Sequence, residues 1–366
     1  MRLFAKSKAK IAEQKAVIKK THSKRAGDWE RWEKFLPTIG IKNDPFLQDF
    51  GNEDGYQISD VFQAYLVCYR DNLFGTKTKG KIGEARLRQG LSNIRTRFED
   101  EGFKRPVTTS TGRLIPCIER QLQGYRVDDP ASKRQAALPL LVFETLWKND
   151  KTPLSEATGQ LTVGALYFAM RSCEYSYTSQ DIRTQLLALD DVKFYTNGRE
   201  VRKNRQDAQK VKIVFPNQKN MEKMEPVIRS RADESSILCP VRSWGAIIDR
   251  IEGYKGTTGK TTVNTVEING KLQKIDSSTI RNRIRVAVDA IGEEKLGFTA
   301  KEVGTHSIRT SFATLLYLRK VDPILIQIGG RWKSTAFLKY IRRDTTEIAI
   351  TGGISHRSNR KIKKLK

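Results

Sequence analysis

The sequence has 366 residues, of which 38% are hydrophobic and 8% aromatic, enough apolar side chains for two or three ordinary domains. Its net charge of +26 predicts a polyanionic partner, with nucleic acid ahead of an anionic membrane surface. No stretch approaches the roughly 20 apolar residues that a membrane-spanning helix needs, and no signal-peptide core follows the basic N-terminus. We therefore expect a folded protein that is neither secreted nor embedded in a membrane.

The positive charge is concentrated towards both ends of the chain. Residues 1–25 hold nine Lys or Arg against one acidic residue, and residues 355–366 hold six against none. The first stretch is predicted to be a basic N-terminal arm, either a solvated terminus or a helix that contacts phosphates or directs nuclear import. The second is predicted to be a basic C-terminal tail.

Cysteine and histidine usage argues against a metal centre. The four cysteines are scattered and form no Cys-x-x-Cys pair, which predicts free, mostly buried thiols in a reducing compartment. His306 is the one histidine in the body of the chain and has no Cys or His close to it in sequence. No metal and no cofactor are expected.

Residues 26–127 are predicted to form a small helical domain. Helical spacing of apolar residues is clearest at 58–73 and 82–98, with a further helix between 112 and 125. Arginines beside the apolar stripe of the 82–98 helix favour a DNA-binding surface, although a helical bundle with solvated arginines fits the pattern equally well. Residues 126–133, with acidic residues, Pro and Ser, are predicted to be a linker.

Residues 128–354 mix helices with a few strands, so the predicted class is mainly α with a small antiparallel β-sheet (α+β). A nearly apolar helix is predicted at 161–175, and it carries a lone charge pair, Arg171 and Glu174. Charged residues in such a helix are rarely buried without a partner or a function. Their i,i+3 spacing allows them to pair, so a structural ion pair and a functional site both stay open.

Alternating patterns predict strands at 192–196 and 210–215, with a third at 225–230. Lys219 then falls at the tip of a β-hairpin between the last two strands. It is either a plain surface lysine or a side chain that reaches into a site.

The stretch 305–343 combines the residue types best suited to chemistry on a phosphate. His306 and Arg309 lie one turn apart near the start of a predicted helix, where free N–H groups favour an anion. Ser334 is predicted to cap a later helix that carries Tyr340.

These residues fit cleavage of a phosphodiester without a metal. Arginine grips phosphate oxygens through two parallel hydrogen bonds, which suits Arg171 and Arg309, with Glu174 orienting Arg171. Tyr340 is then the candidate nucleophile.

Proton transfer in such a reaction needs two further groups. His306 can donate to a phosphate oxygen or accept the tyrosine proton. Lys219 can protonate the leaving oxygen.

Together these motifs resemble the tyrosine recombinases, the phage-integrase superfamily. That family combines Arg-x-x-Glu/Asp, a hairpin Lys, His-x-x-Arg, Gly-His/Trp and a Tyr ten residues after that Gly. The matching residues here are RSCE at 171–174, Lys219, HSIR at 306–309, GRW at 330–332 and Tyr340. The resemblance covers about residues 128–350, the family's catalytic domain, while 26–127 takes the place of its helical core-binding domain.

One position departs from the family pattern. Arg331 follows Gly330, where the family has His or Trp, and Trp332 comes one residue later. Either Arg331 supplies a third guanidinium, or a small shift lets Trp332 pack against the nucleophile helix and donate to phosphate. The plainer alternative for Trp332 is a core aromatic.

The resemblance implies site-specific recombination or integration of double-stranded DNA through a 3′-phosphotyrosine intermediate, by a homotetramer on two synapsed sites. The segments FPNQKN and GRWKSTAFLKYIR resemble the eukaryotic mobile-element branch of Crypton and DIRS-like recombinases. A nuclear location is expected in a eukaryote, and a cytoplasmic or nucleoid location otherwise. Two alternatives stay open: a type IB topoisomerase-like DNA-relaxing enzyme, and a domesticated, non-catalytic DNA-binding protein of the same fold.

Overall fold

The computed structural model describes residues 19–50, 57–75, 80–131, 135–148, 152–177, 184–218, 221–232, 238–339 and 341. The chain divides into two compact units, Met1–Ser132 and Lys133–Lys366, each with its own hydrophobic core. The predicted class is confirmed, since the described elements are mainly helices, with a four-stranded antiparallel sheet and a two-stranded ribbon. None of the helices in these ranges is long and apolar enough to cross a bilayer.

The first unit is helical, as predicted. Its helices are α1 (Lys19–Phe35), α2 (Ile58–Arg70), α3 (Glu84–Asp100) and α4 (Pro116–Asp128). They enclose an aromatic core in which the rings of Trp32 and Phe62 stack with centroids 4.7 Å apart. Burial of such large rings supplies much of the stabilisation of a small domain.

The predicted linker at 126–133 is wrong for its first half. Helix α4 continues to Asp128, and the next residue, Asp129, is anchored in the first unit. Its carboxylate accepts hydrogen bonds from the Arg70 guanidinium and from the backbone N–H of Glu84, the latter at 2.6 Å. Because this carboxylate pairs with a buried arginine, the segment forms part of the domain rather than a free connection.

The second unit contains eight described helices. They are α5 (Leu140–Lys148), α6 (Pro153–Tyr167), α7 (Ser172–Tyr175), α8 (Pro240–Glu252), α9 (Ser277–Ile291), α10 (Glu293–Leu296), α11 (Thr305–Leu318) and α12 (Pro323–Gly329). Trp244 is fully buried at the centre, where its indole N–H donates to the Gly164 carbonyl at 3.2 Å. A Cβ on Gly164 would lie 3.0 Å from that nitrogen, so glycine allows α6 and α8 to approach closely.

The main sheet has the strand order β2-β1-β3-β4. Its strands are β1 (Val192–Thr196), β2 (Arg199–Val201), β3 (Lys210–Asn217) and β4 (Lys223–Ser230), which confirms the three predicted strands. Alternation on β3 places Val211, Ile213 and Phe215 in the core. The short β2 and a separate ribbon, β5 (Thr265–Ile268) and β6 (Lys271–Lys274), were not predicted. Strand β6 is exposed on both faces and lacks an apolar alternation that would indicate a strand.

The single helix predicted at 161–175 is wrong. Helix α6 ends at Tyr167, and Ala169 adopts a left-handed backbone with φ of 45°. The chain restarts as the short α7, where the Glu174 side chain accepts from the backbone N–H of Arg171 at 2.9 Å. The Glu174 side chain caps the start of α7, because it satisfies the backbone N–H of Arg171, which has no partner within the helix.

The cysteines are free, but only Cys239 is buried. The other three are half-buried, so the expectation of mostly buried thiols is wrong.

Candidate active site

The candidate site lies where two turns of the second unit meet. The first turn is the break between α6 and α7, and the second follows α12. Three successive carbonyls at the end of α6 each accept a hydrogen bond from a different arginine: Tyr167 from Arg229 at 2.8 Å, Phe168 from Arg331 at 3.3 Å, and Ala169 from Arg309. The last carbonyls of a helix have no partner within it and carry partial negative charge, so cationic donors suit them.

Two of these arginines also reach the second turn. Arg229 donates to the carbonyl of Gly329 at 2.8 Å, and Arg309 donates to that of Gly330 at 2.7 Å. Together, Arg229, Arg309 and Arg331 hold the two turns against each other.

Glu174 is the centre of the charged network. It is 1% exposed, and among the described residues of the second unit it is the only buried carboxylate. It accepts from Arg171 at 3.1 Å and from Arg331 at 2.7 and 3.2 Å. Burial alone would raise the pKa of Glu174, but the charges and hydrogen bonds of Arg331 and Arg171 lower it below the ordinary value, so the group is ionised.

Arg331 points into the protein rather than towards solvent. Besides Glu174, its guanidinium donates to the side-chain oxygen of Gln218 at 2.8 Å and lies 3.6 Å from the centre of the Phe215 ring. Its backbone is left-handed, with φ of 56°. Such a conformation costs on the order of 1–3 kcal/mol and persists only where the surroundings impose it. The contacts of this side chain supply that constraint.

Trp332 takes a different place. It is half-buried, and the Arg309 guanidinium lies 4.5 Å from its ring centroid. The ring also contacts Phe312 on α11 and Phe337, at centroid distances of 6.2 and 5.8 Å. Trp332 is therefore both a packing aromatic and the residue that stands beside a candidate phosphate-binding arginine.

His306 and Arg309 lie one turn apart at the start of α11 but differ in environment. His306 is exposed, whereas Arg309 is 3% exposed. The backbone N–H of Ser307, in the first turn, donates to the side chain of Gln135 at 3.1 Å. One of the amides expected to favour an anion is therefore already occupied.

Two predicted residues, Lys219 and Tyr340, lie outside the described residues. Gln218, directly before Lys219, is fully buried; it accepts from Arg331 and donates to Glu225. The helix predicted to carry Tyr340 is replaced in its described part by a 3₁₀ turn, Thr335–Lys339. The neighbouring segments of both residues thus contact the network: one through Arg331, the other through the contact of Phe337 with Trp332.

Sequence reasoning missed Arg229 and Gln218. Arg229 lies in the strand predicted at 225–230 and Gln218 lies in the turn before it, but nothing in the pattern separates them from other polar residues of a basic hairpin. Arg229 donates to backbone carbonyls 62 and 100 positions away in the chain, and Gln218 accepts from the side chain of Arg331, 113 positions away. Local spacing in the sequence does not show contacts of this kind.

The arginines predicted to make α3 a DNA-binding face are largely engaged within the first unit. Arg86 pairs with Asp28, Arg88 pairs with Glu84 and Glu119, and Arg97 pairs with Glu101. Arg95 is 6% exposed and donates to Thr108 at 2.5 Å; burial and the nearby Arg105 lower its pKa to about 10. A cleft of about 500 Å³ lies beside Arg88, Arg95 and Arg113. DNA binding by this unit stays a prediction.

No family model and no curated protein matches the sequence. Several solved structures are similar. The Tn1549 transposon integrase, solved with transposon right end DNA, is 13% identical over 90% of this chain and 98% of its own, with a TM-score of 0.45. A lambda integrase fragment, solved as a dimer on a COC′ core site, is 13% identical over 93% and 95%, with a TM-score of 0.48.

The XerH site-specific recombinase, solved on a palindromic difH substrate after cleavage, is 14% identical over 90% of this chain and 77% of its own, with a TM-score of 0.49. These similar structures are tyrosine recombinases and integrases, the family that the sequence motifs resemble. The eukaryotic mobile-element branch stays a prediction.

Proposed function

We propose that this chain is a tyrosine-type DNA recombinase or integrase that cleaves and rejoins double-stranded DNA through a 3′-phosphotyrosine at Tyr340. The observation that carries the proposal is the network around Glu174, in which two arginines share one buried carboxylate. This network joins the Arg-x-x-Glu motif to the turn that precedes the candidate nucleophile.

The charge balance of the network favours an anionic ligand. Arg171 and Arg331 share a single buried carboxylate, and the nearby Arg229 is held, among the described residues, by backbone carbonyls rather than by an acid. Partly buried cations in excess of their counterions keep a strong local field, because protein surroundings screen charge less than water does. A phosphodiester would supply the missing negative charge.

The two arginines that pair with Glu174 have different roles in this proposal. Arg331 uses its donors on Glu174, Gln218 and the Phe168 carbonyl, all inside the protein. Arg171 has a side chain that is 22% exposed, and its guanidinium makes a single ion pair within the described ranges. We assign Arg171 to the phosphate and Arg331 to holding Glu174 in place. Trp332, beside Arg309, takes the position next to the phosphate-binding arginines.

The proposed reaction balances without a redox step or an energy source. The Tyr340 hydroxyl oxygen attacks phosphorus, the bond from phosphorus to the 5′-oxygen breaks, and a covalent phosphotyrosine forms. His306 is assigned as acceptor of the tyrosine proton, and Lys219 as donor to the leaving 5′-oxygen. Attack by a 5′-hydroxyl from a second duplex reverses these steps and joins the new strand.

Assembly and location are also proposals. Exchange between two duplexes requires four cleaved strands, so we propose a homotetramer on two synapsed sites. In a eukaryote the protein would act in the nucleus, and in a bacterium at the nucleoid.

A strand-transfer assay tests the proposal. The protein is incubated with a labelled duplex of its target site and a second, longer duplex, in parallel with supercoiled plasmid carrying one site. Labelled strands of hybrid length are the expected product. Plasmid relaxation without hybrid strands would instead indicate a topoisomerase-like enzyme, and DNA binding without either product would indicate a non-catalytic binding protein.

A further inference from the structure

Arg229 occupies an unusual position for a charged residue. It lies near the end of β4, which is an edge strand of the main sheet, yet its side chain turns inwards to the two site turns. It donates to the carbonyls of Tyr167 and Gly329, both at 2.8 Å. Its guanidinium also lies over the rings of Phe168 and Phe312, at 5.4 and 5.9 Å from their centroids.

The surroundings of Arg229 disfavour a charge but fit the shape of a guanidinium. Burial, together with the nearby charge of Arg331, lowers the pKa of Arg229 to about 10. Its guanidinium donates to two carbonyls that belong to segments 162 positions apart in the chain, as well as to the carbonyl of the adjacent Ile228 at 3.1 Å, and it faces two aromatic rings. A planar fork of donors reaches both carbonyls at once and stacks on rings, whereas a lysine ammonium is a compact point charge.

We propose that Arg229 is a positioning residue for DNA cleavage, which fixes the turn at 329–332 against the break at 167–171. The inference rests on the proposed function, because these two turns carry Arg171 on one side and Trp332 on the other. Within the described residues, Arg229 donates to the carbonyls of the two turns. Its effect is on the spacing between them.

The hairpin formed by β3 and β4, which carries Arg229, has a second contact with the site. Gln218, directly after β3, accepts from Arg331, while Arg229 lies at the far end of β4. The strand pair that carries Lys219 is therefore held to the two turns at two separate points. Loss of Arg229 would leave one attachment and allow the turns to separate.

The test compares Arg229→Lys and Arg229→Met with Arg231→Lys and Arg231→Met. Arg231 follows two positions later and makes a solvent-exposed pair with Asp207 at 3.4 Å, so it matches the charge change without touching the turns. Three quantities are measured for each full-length variant: DNA affinity, the single-turnover rate of covalent adduct formation on a nicked duplex, and hydrogen exchange of the peptide that covers 326–333. Melting temperature checks folding.

Arg229→Lys is the decisive variant, because it keeps the charge and most of the aliphatic stem. We expect its cleavage rate to fall on the order of tenfold to a hundredfold, since small misplacements of reacting groups have effects of this size. DNA affinity should stay within about twofold, as expected for a change in geometry rather than charge. Backbone amides at 330–332, which now donate to carbonyls of α12, should exchange faster.

Two results would overturn the inference: wild-type cleavage and exchange in Arg229→Lys, or an equal loss of affinity and cleavage in both Arg229 variants. The failure of the proposed function would look different. Wild-type protein would then give no covalent adduct, while the exchange measurement alone would still decide whether Arg229 holds the turns. The Arg231 variants should match wild type in every measurement.

Discussion

Glu174 is the buried carboxylate of the candidate site, and it forms ion pairs with both Arg171 and Arg331. Removing one member of a buried ion pair leaves the other charge unpaired and typically costs about 3–5 kcal/mol. We expect Glu174→Gln to lower the free energy of unfolding by roughly 3 kcal/mol in urea denaturation. Glu200→Gln, which removes a half-exposed partner of Lys193, should cost less than about 1 kcal/mol.

A double-mutant cycle shows whether Arg331 is the partner that matters. If Arg331→Met is added to Glu174→Gln, the combined loss of stability should be smaller than the sum of the single losses, because no unpaired charge remains on Arg331. Simple additivity would contradict the ion pair seen here.

Acid titration provides a separate test of the same residue. The pKa of Glu174 is lower in the folded protein than in the unfolded chain, where it is about 4.3. Its contribution to stability is therefore complete above the unfolded value and is lost as pH falls through the folded value. The stability gap between wild type and Glu174→Gln should be constant from about pH 7 to pH 5 and narrow below about pH 4. A gap that stays constant to the acid limit of folding would contradict the assignment.

At the level of single residues, the sequence identified the motif residues but not how they are arranged. The i,i+3 spacing predicted that Arg171 and Glu174 can pair, and they do. The inward turn of Arg331 depends on a left-handed backbone and on Gln218 and Phe215 from the hairpin. Those are tertiary contacts, which local spacing does not specify.

At the scale of elements, the turn after α12 fixes Trp332. A Cβ on Gly330 would lie 1.7 Å from a ring atom of Trp332, whereas one on Gly329 would have no contact closer than 3.4 Å. Gly330→Ala should displace the ring from Arg309 and cost about 1–3 kcal/mol of stability, as overpacking generally does. It should also lower the rate of adduct formation.

Gly329→Ala is the matched control, because the added methyl makes only ordinary contacts with Phe312 and Arg229. Melting temperature and cleavage rate are measured for both. Equal effects of the two substitutions would show that the position of Trp332 is not critical.

Elements with a strong period were predicted well, and those without one were not. The helices predicted at 58–73 and 82–98 are observed as α2 (Ile58–Arg70) and α3 (Glu84–Asp100), and three strands of the main sheet followed from alternation. The break at Ala169 was missed because the run from 161 to 170 is nearly all apolar and contains no Pro, Asn or Asp to mark it. The restart of the chain at α7 depends on the Glu174 cap, whose geometry is set by Arg331.

At the scale of the whole molecule, the net charge of +26 should govern DNA affinity. Each phosphate contact releases counterions, so a protein with about 6–10 contacts loses roughly 10³–10⁵ in affinity between 50 and 200 mM salt. We expect a loss of this size in fluorescence anisotropy titrations. A variant that lacks 355–366 should show a shallower slope, because six basic residues are removed. A flat salt dependence of the full chain would contradict DNA as the partner.

Formation of a covalent intermediate with DNA is the direct test of Tyr340 as the nucleophile. Full-length protein is incubated with a nicked duplex that traps the cleaved strand, and the adduct is digested and sequenced by mass spectrometry. We expect a 3′-phosphotyrosine on Tyr340, lost in Tyr340→Phe and retained in Tyr317→Phe, a matched change at a half-exposed tyrosine of α11. Absence of an adduct in wild type, or an adduct that persists in Tyr340→Phe, would contradict it.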